Sequence, residues 1–170
     1  MHDAGCRVIL CGIEVGNDEV AQRMGKRVDE NRTERILAYA RKTGIRSCGH
    51  FVLGTPGETT DEVRETIRYA RTLSLDYAAF NLFAPRLGTH MRSDLVEIGR
   101  VDADDFDGQD VSVHANSYGD MDANELAGLR RWAVASFYLR PSQMLRLLRC
   151  TPWSTLRRQG TAVLGGLLKS

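Results

Sequence analysis

The reading of the fold turns on residues 45–59, Ile45-Arg-Ser-Cys-Gly-His-Phe-Val-Leu-Gly-Thr-Pro-Gly-Glu-Thr59. An apolar run to Leu53 breaks at a loop whose two glycines allow positive φ or a close backbone approach. Thr59 and Glu62 then form the T-x-x-E capping box of a helix. Val63, Ile67 and Ala70 mark one face of that helix, at offsets of four and three, and carry it to about Leu73.

The same strand-loop-helix logic extends to both sides. Upstream, Arg7-Val-Ile-Leu-Cys-Gly-Ile13 is apolar without alternation, the pattern of a parallel strand buried on both faces. Glu14-Val-Gly-Asn17 follows, with Asn17 as N-cap and Asp18 and Glu19 in the first turn of a short helix through Met24. A second helix is expected from about Thr33 to Thr43, stopped by Gly44. Downstream, Tyr77-Ala-Ala-Phe-Asn-Leu-Phe83 reads as a third strand that ends at Pro85. The order β-α-β-α-β specifies right-handed parallel crossovers, the unit of doubly wound sheets and of (β/α) barrels alike. Three parallel strands leave two open edges, so residues 1–92 read as half of a larger assembly.

Residues 93–120 turn acidic and irregular, with Asp102, Asp104, Asp105, Asp107 and Asp110 close together. They lack the central glycine and closing Glu of a calcium-binding EF-hand and read as a solvated connecting loop. Residues 121–170 form a helical extension. Asp122-Ala-Asn-Glu125 caps a helix with a stripe of Leu126, Leu129, Ala133 and Phe137, and Pro141 opens the next, with Leu145 and Leu148 on its apolar face. Seven arginines and no acid lie between Arg130 and Arg158, and pairing with the acidic loop accounts for them better than RNA does.

Composition narrows the function. Of 170 residues 42% are hydrophobic and 26% charged, the range of an ordinary globular chain of one domain or slightly more. The net charge of +1 gives no field to gather a polyanion or an anionic membrane. The run Val8–Ile13 is far too short for a span, and Asp3 does not suit a signal peptide, so a cytoplasmic location is expected. Four cysteines without a C-x-x-C pair read as reduced, packed thiols.

In parallel α/β proteins ligands bind beyond the carboxyl ends of strands. Those ends are Glu14, residues 54–58 and residues 81–85. A carboxylate directly after a buried strand needs a cation, a hydroxyl pair or backbone donors, which a ligand or an arginine could equally supply. Residues 54–58 lack the lysine of a P-loop and the spacing of a dinucleotide fingerprint, so a tight turn is the simpler reading. Cys48 and His50, two apart on one strand, face one side and are expected to pack in the core. His2, His90 and His114 read as surface residues.

Taken in order, Ala4-Gly-Cys6, Cys11-Gly-Ile-Glu-Val-Gly16, Lys26, Thr43-Gly-Ile45, Phe51-Val-Leu-Gly-Thr-Pro-Gly-Glu-Thr59 and Leu87-Gly-Thr89 resemble the second half of a radical S-adenosylmethionine (radical SAM) enzyme. The likeness is to the subgroup that often carries an upstream cobalamin-binding domain, and Glu125-Leu126 through Phe137-Tyr-Leu-Arg-Pro141 is similar to its helical extension. The resemblance implies a partial (β/α) barrel of TIM type, with the three strands here as its last three β/α units. It implies that Glu14 contacts the ribose or methionine part of S-adenosylmethionine. The backbone at Val52, Leu53 and Gly54 would border the adenine, and Leu82 and Phe83 would line the same cavity. The implied chemistry is reductive cleavage of S-adenosylmethionine by a 4Fe–4S cluster to a deoxyadenosyl radical. The C-x-x-x-C-x-x-C triplet that holds the cluster is absent from this sequence, and Val15, Asn17 and Arg86-Leu87 depart from the usual residues. The expectation is a chain inactive alone that needs an amino-terminal barrel half or a complementary subunit, with no nucleic acid and no membrane as partner. A non-catalytic remnant or a small α/β binding module is the alternative.

Overall fold

Strand β2, Arg46–Leu53, buries every second residue. Ser47, Gly49, Phe51 and Leu53 are covered, while Arg46, Cys48, His50 and Val52 stay half-exposed. The computed structural model describes residues 1–105, 118 and 121–150, with side chains through residue 147. Strands β1, Val8–Glu14, and β3, Tyr77–Leu82, flank β2 in a parallel sheet of order β1-β2-β3. Cys11, Gly49 and Ala78 lie in one row across the sheet, and Gly12, His50 and Ala79 in the next. Opposed residues of parallel strands share a face, so the register defines one covered and one open side. This is the mixed α/β architecture that the sequence predicts.

Helices α1 (Asp18–Arg23), α2 (Glu30–Lys42), α3 (Thr60–Thr72), α4 (His90–Glu97), α5 (Ala123–Tyr138) and α6 (Pro141–Cys150) complete the described elements. The core lies on the covered side, where Leu37 and Ala40 of α2, Val63, Ile67 and Ala70 of α3, and Leu126 and Phe137 of α5 are buried. Phe51 stacks on Phe80 at 5.3 Å between ring centroids, and Phe137 meets Phe80 edge-on at 6.3 Å. Such ring pairs add roughly 0.5–1.5 kcal/mol each beyond burial.

Strand β1 departs from expectation, because it is not buried on both faces. Val8 is 41% and Leu10 71% exposed on the open side, where no described element covers them. An apolar run without alternation therefore does not distinguish a doubly covered strand from one covered on a single side. Cys48 and His50 likewise share a side as expected, but that side is the open face and not the core.

Helix boundaries follow the caps. The capping box at Thr59 is present, with Glu62 Oε2 accepting from Thr59 N at 2.7 Å. Helix α2 begins at Glu30 instead of Thr33 because the Asp29 carboxylate accepts from Arg32 N at 2.9 Å. Helix α4 occupies residues 90–97, the start of the stretch read as irregular, with Thr89 as its N-cap.

Arg92, on α4, is buried and donates to the carbonyl oxygens of Pro85, Asp102, Ala103 and Asp105, at 2.7 to 3.2 Å. It ties the acidic segment to the loop after β3 through backbone rather than carboxylates. Arg92→Met is expected to cost about 2 kcal/mol in denaturant unfolding, since several charge-assisted bonds disappear together. Asp107, Asp110, His114 and residues 151–170 lie outside the described residues, as do the side chains of Leu148 and Arg149. The expected pairing of arginines with the acidic loop falls largely there, and Arg130 donates instead to the Phe80 carbonyl at 3.0 Å. The chain divides into two compact units, Met1–Phe137 and Tyr138–Ser170, with α6 in the second.

Candidate functional site

Glu14 ends β1 at φ 71°, the one non-glycine positive φ among the described residues. Val15 N donates to Ile13 O at 3.0 Å, closing a γ-turn centred on Glu14. With φ positive this is the rarer, strained hand of that turn. The turn sends the carboxylate back over the sheet. A Cβ on Gly12 would lie 2.9 Å from Glu14 Oε1, so Glu14 rests above Gly12 on the open side. Lys26 Nζ donates to the same oxygen at 2.9 Å, with half of the lysine side chain exposed. A half-exposed ion pair of this kind is worth at most about 1 kcal/mol, so a ligand can rearrange it at small cost.

The second strand-end loop is organised by a residue that sequence reasoning treated only as part of a turn. Glu58 is fully buried. Its Oε2 accepts from Gly54 N and Thr55 N, both at 2.8 Å, and from Thr55 Oγ1 at 3.1 Å. Its Oε1 is buried with no partner among the described residues. Burial pushes the carboxyl above the ordinary range, while the bonds from Thr55 and Gly54 pull the other way. The detectable signal was its place four residues after Gly54, inside the turn that it closes.

The structure brings some of the expected site residues together and separates others. Glu14 and Val52 share the open side, with Val52 opposite Asn81. Leu53 and Leu82 are paired with each other, but their side chains are buried on the covered side, which leaves only their backbone toward the open one. Gly54 N is committed to Glu58, and Leu53 O accepts from Phe83 N at 2.9 Å. Phe83 meets Tyr118 edge-on at 5.8 Å and packs in a cluster with Leu95 and Val101. Asn81, at one of the expected strand ends, and His50, expected to pack in the core, stand half-exposed on the open face beside Glu14 and Val52.

The described cysteines do not suit an iron–sulfur cluster. Cys11 and Cys48 occupy opposite faces of the sheet. Burial raises both thiols, Cys48 further through its neighbour Cys11. Among the described residues no group of three or more His, Cys, Asp or Glu is placed to hold a metal. No helix among them is long and apolar enough to cross a membrane.

Residues 1–70, which hold the first two of the three strand ends, match the family model of the radical SAM superfamily. The likeness to the superfamily thus rests on the first 70 of the 170 residues. An uncharacterized methyltransferase of Pyrococcus horikoshii is 27% identical over 155 residues, covering 86% of this chain and 32% of the relative. A cytidylyl-2-hydroxyethylphosphonate methyltransferase of Streptomyces wedmorensis is 26% identical over 62% of the chain and 21% of its own length. A bacteriochlorophyllide d C-8(2)-methyltransferase of Chlorobaculum tepidum is 23% identical, over 62% and 24%. The chain thus spans about a third or less of the curated relatives it matches.

Proposed function

We propose that the open face of this sheet binds S-adenosylmethionine for a radical SAM reaction, most specifically methyl transfer. The observation that carries the reading is Glu14, a carboxylate held in a strained turn at a strand end and directed over the open face. Its oxygens suit the ribose hydroxyls or the ammonium of the methionine moiety. The backbone from Val52 to Gly54 lies beside it for the adenine, with the Val52 side chain on the same side and the backbone of Leu82 and Phe83 next in line. S-adenosylmethionine supplies the transferable methyl or adenosyl group. Glu58 fixes the loop against which it rests, and the covered side excludes water from behind.

The cluster would be held by a segment or subunit other than the described residues. Cobalamin as the methyl carrier is the finer form of the proposal, supported by the methyltransferase names of the relatives. Titration calorimetry of the full chain with S-adenosylmethionine tests the reading. Glu14→Ala is expected to weaken binding at least tenfold, roughly 1.4 kcal/mol. An unchanged dissociation constant would remove Glu14 from the site.

A further inference from the structure

The three residues after Glu14 are each pinned, and two of the pins belong to α3. Val15 is buried with Val20 and Ala21. Gly16 N donates to Thr66 Oγ1 at 3.0 Å. Asn17 Nδ2 donates to Glu65 Oε2, while Asn17 Oδ1 caps α1 through Glu19 N and Val20 N. The loop is pressed so closely on α3 that a Cβ at Gly16 would lie 2.5 Å from Tyr69 Cβ. Thr66 itself is fully buried, so its hydroxyl has no solvent role to serve.

We infer that Thr66 is a positioning residue that holds Glu14 in its left-handed turn, and through Glu14 sets affinity for the ligand of the open face. A non-glycine residue at φ 71° relaxes toward negative φ unless its neighbours prevent it. Beyond the buried Val15, the first hydrogen bond that ties the chain to another element is the one from Gly16 to Thr66, two residues on. Without it the γ-turn can open and swing the carboxylate off Gly12. The role in affinity rests on the S-adenosylmethionine reading, whereas the role in holding the turn does not.

The test uses the full chain, with Thr66→Val to remove the acceptor at nearly constant shape and Thr66→Ser to restore it. Thr66→Ala removes the same acceptor should the valine fail to fold. Backbone chemical shifts of Glu14 report its conformation. They are expected to leave the left-handed range in Thr66→Val and to remain there in Thr66→Ser. Persistence of the left-handed shifts in both Thr66→Val and Thr66→Ala overturns the inference, whether or not any ligand binds.

With S-adenosylmethionine as the probe, Thr66→Val is expected to raise the dissociation constant five- to tenfold and Thr66→Ser less than twofold. In a Glu14→Ala background the same Thr66→Val change should have less than a twofold effect. Equal losses in both backgrounds would mean that Thr66 acts on the fold at large, which overturns the coupling to Glu14. If the wild-type chain binds no S-adenosylmethionine while Thr66→Val still shows the chemical-shift change, the positioning role stands and the ligand is refuted.

Discussion

Replacement of Glu58 by alanine is expected to destabilise the chain by on the order of 4 kcal/mol in urea unfolding. The side chain accepts three hydrogen bonds on one oxygen, two from the backbone N–H groups of Gly54 and Thr55. Each buried donor left without a partner costs about 1–3 kcal/mol. Glu58→Gln preserves a carbonyl oxygen for those donors and isolates the charge. The carboxyl of Glu58 is raised in the folded chain, with burial as the largest cause. A group raised on folding contributes stability that is fully present below its unfolded value and lost as pH rises through the folded one. Wild type is therefore expected to lose ground to Glu58→Gln as pH climbs from about 4 through the raised range. A difference between the two that is flat with pH would show that Glu58 does not titrate differently on folding.

Gly54→Ala is expected to cost about 3 kcal/mol, the second largest effect. Gly54 has φ 79°, where a side chain costs about 1–2 kcal/mol. Its added Cβ would also lie 2.5 Å from Leu126 Cδ2. Leu126 is completely buried on α5, so it has little room to yield, and overpacking of this kind typically costs about 1–3 kcal/mol more. Gly57→Ala is the control, because Gly57 has φ 70° but nothing within 4 Å of the built Cβ. Chemical denaturation of both variants should show the larger loss at Gly54. Equal losses would mean that the contact with Leu126 carries no energy.

Local signals were legible where the physics is local. The capping box at Thr59, the N-cap at Asn17 and the stop at Gly44 each depend on a few adjacent residues, and each is where the sequence placed it. The stripe Leu126, Leu129, Ala133 and Phe137 is likewise buried as expected. What was not legible depends on partners distant in sequence. Nothing in Val8 to Ile13 states that only one side of β1 is covered, because that depends on where the helices pack. Nor can a Thr-Pro-Gly-Glu turn announce that its last residue folds back to hold its first. Within the site, the position of Glu14 at a strand end was readable, but its reversed turn was not, since Thr66 lies 52 residues away in the sequence.

The alternation of the sheet has a consequence for how this protein can change. On β2 the odd-numbered residues carry the core and the even-numbered ones face the open side, while on β3 the parity is reversed. If the open face binds as proposed, stability and recognition are written into interleaved but separate sets of codons. Drift or directed evolution at positions 48, 50, 52, 79 and 81 would then resculpt recognition while Phe51, Leu53, Phe80 and Leu82 keep the same scaffold. A single-residue insertion within β2 would exchange the two sets downstream and so damage both at once.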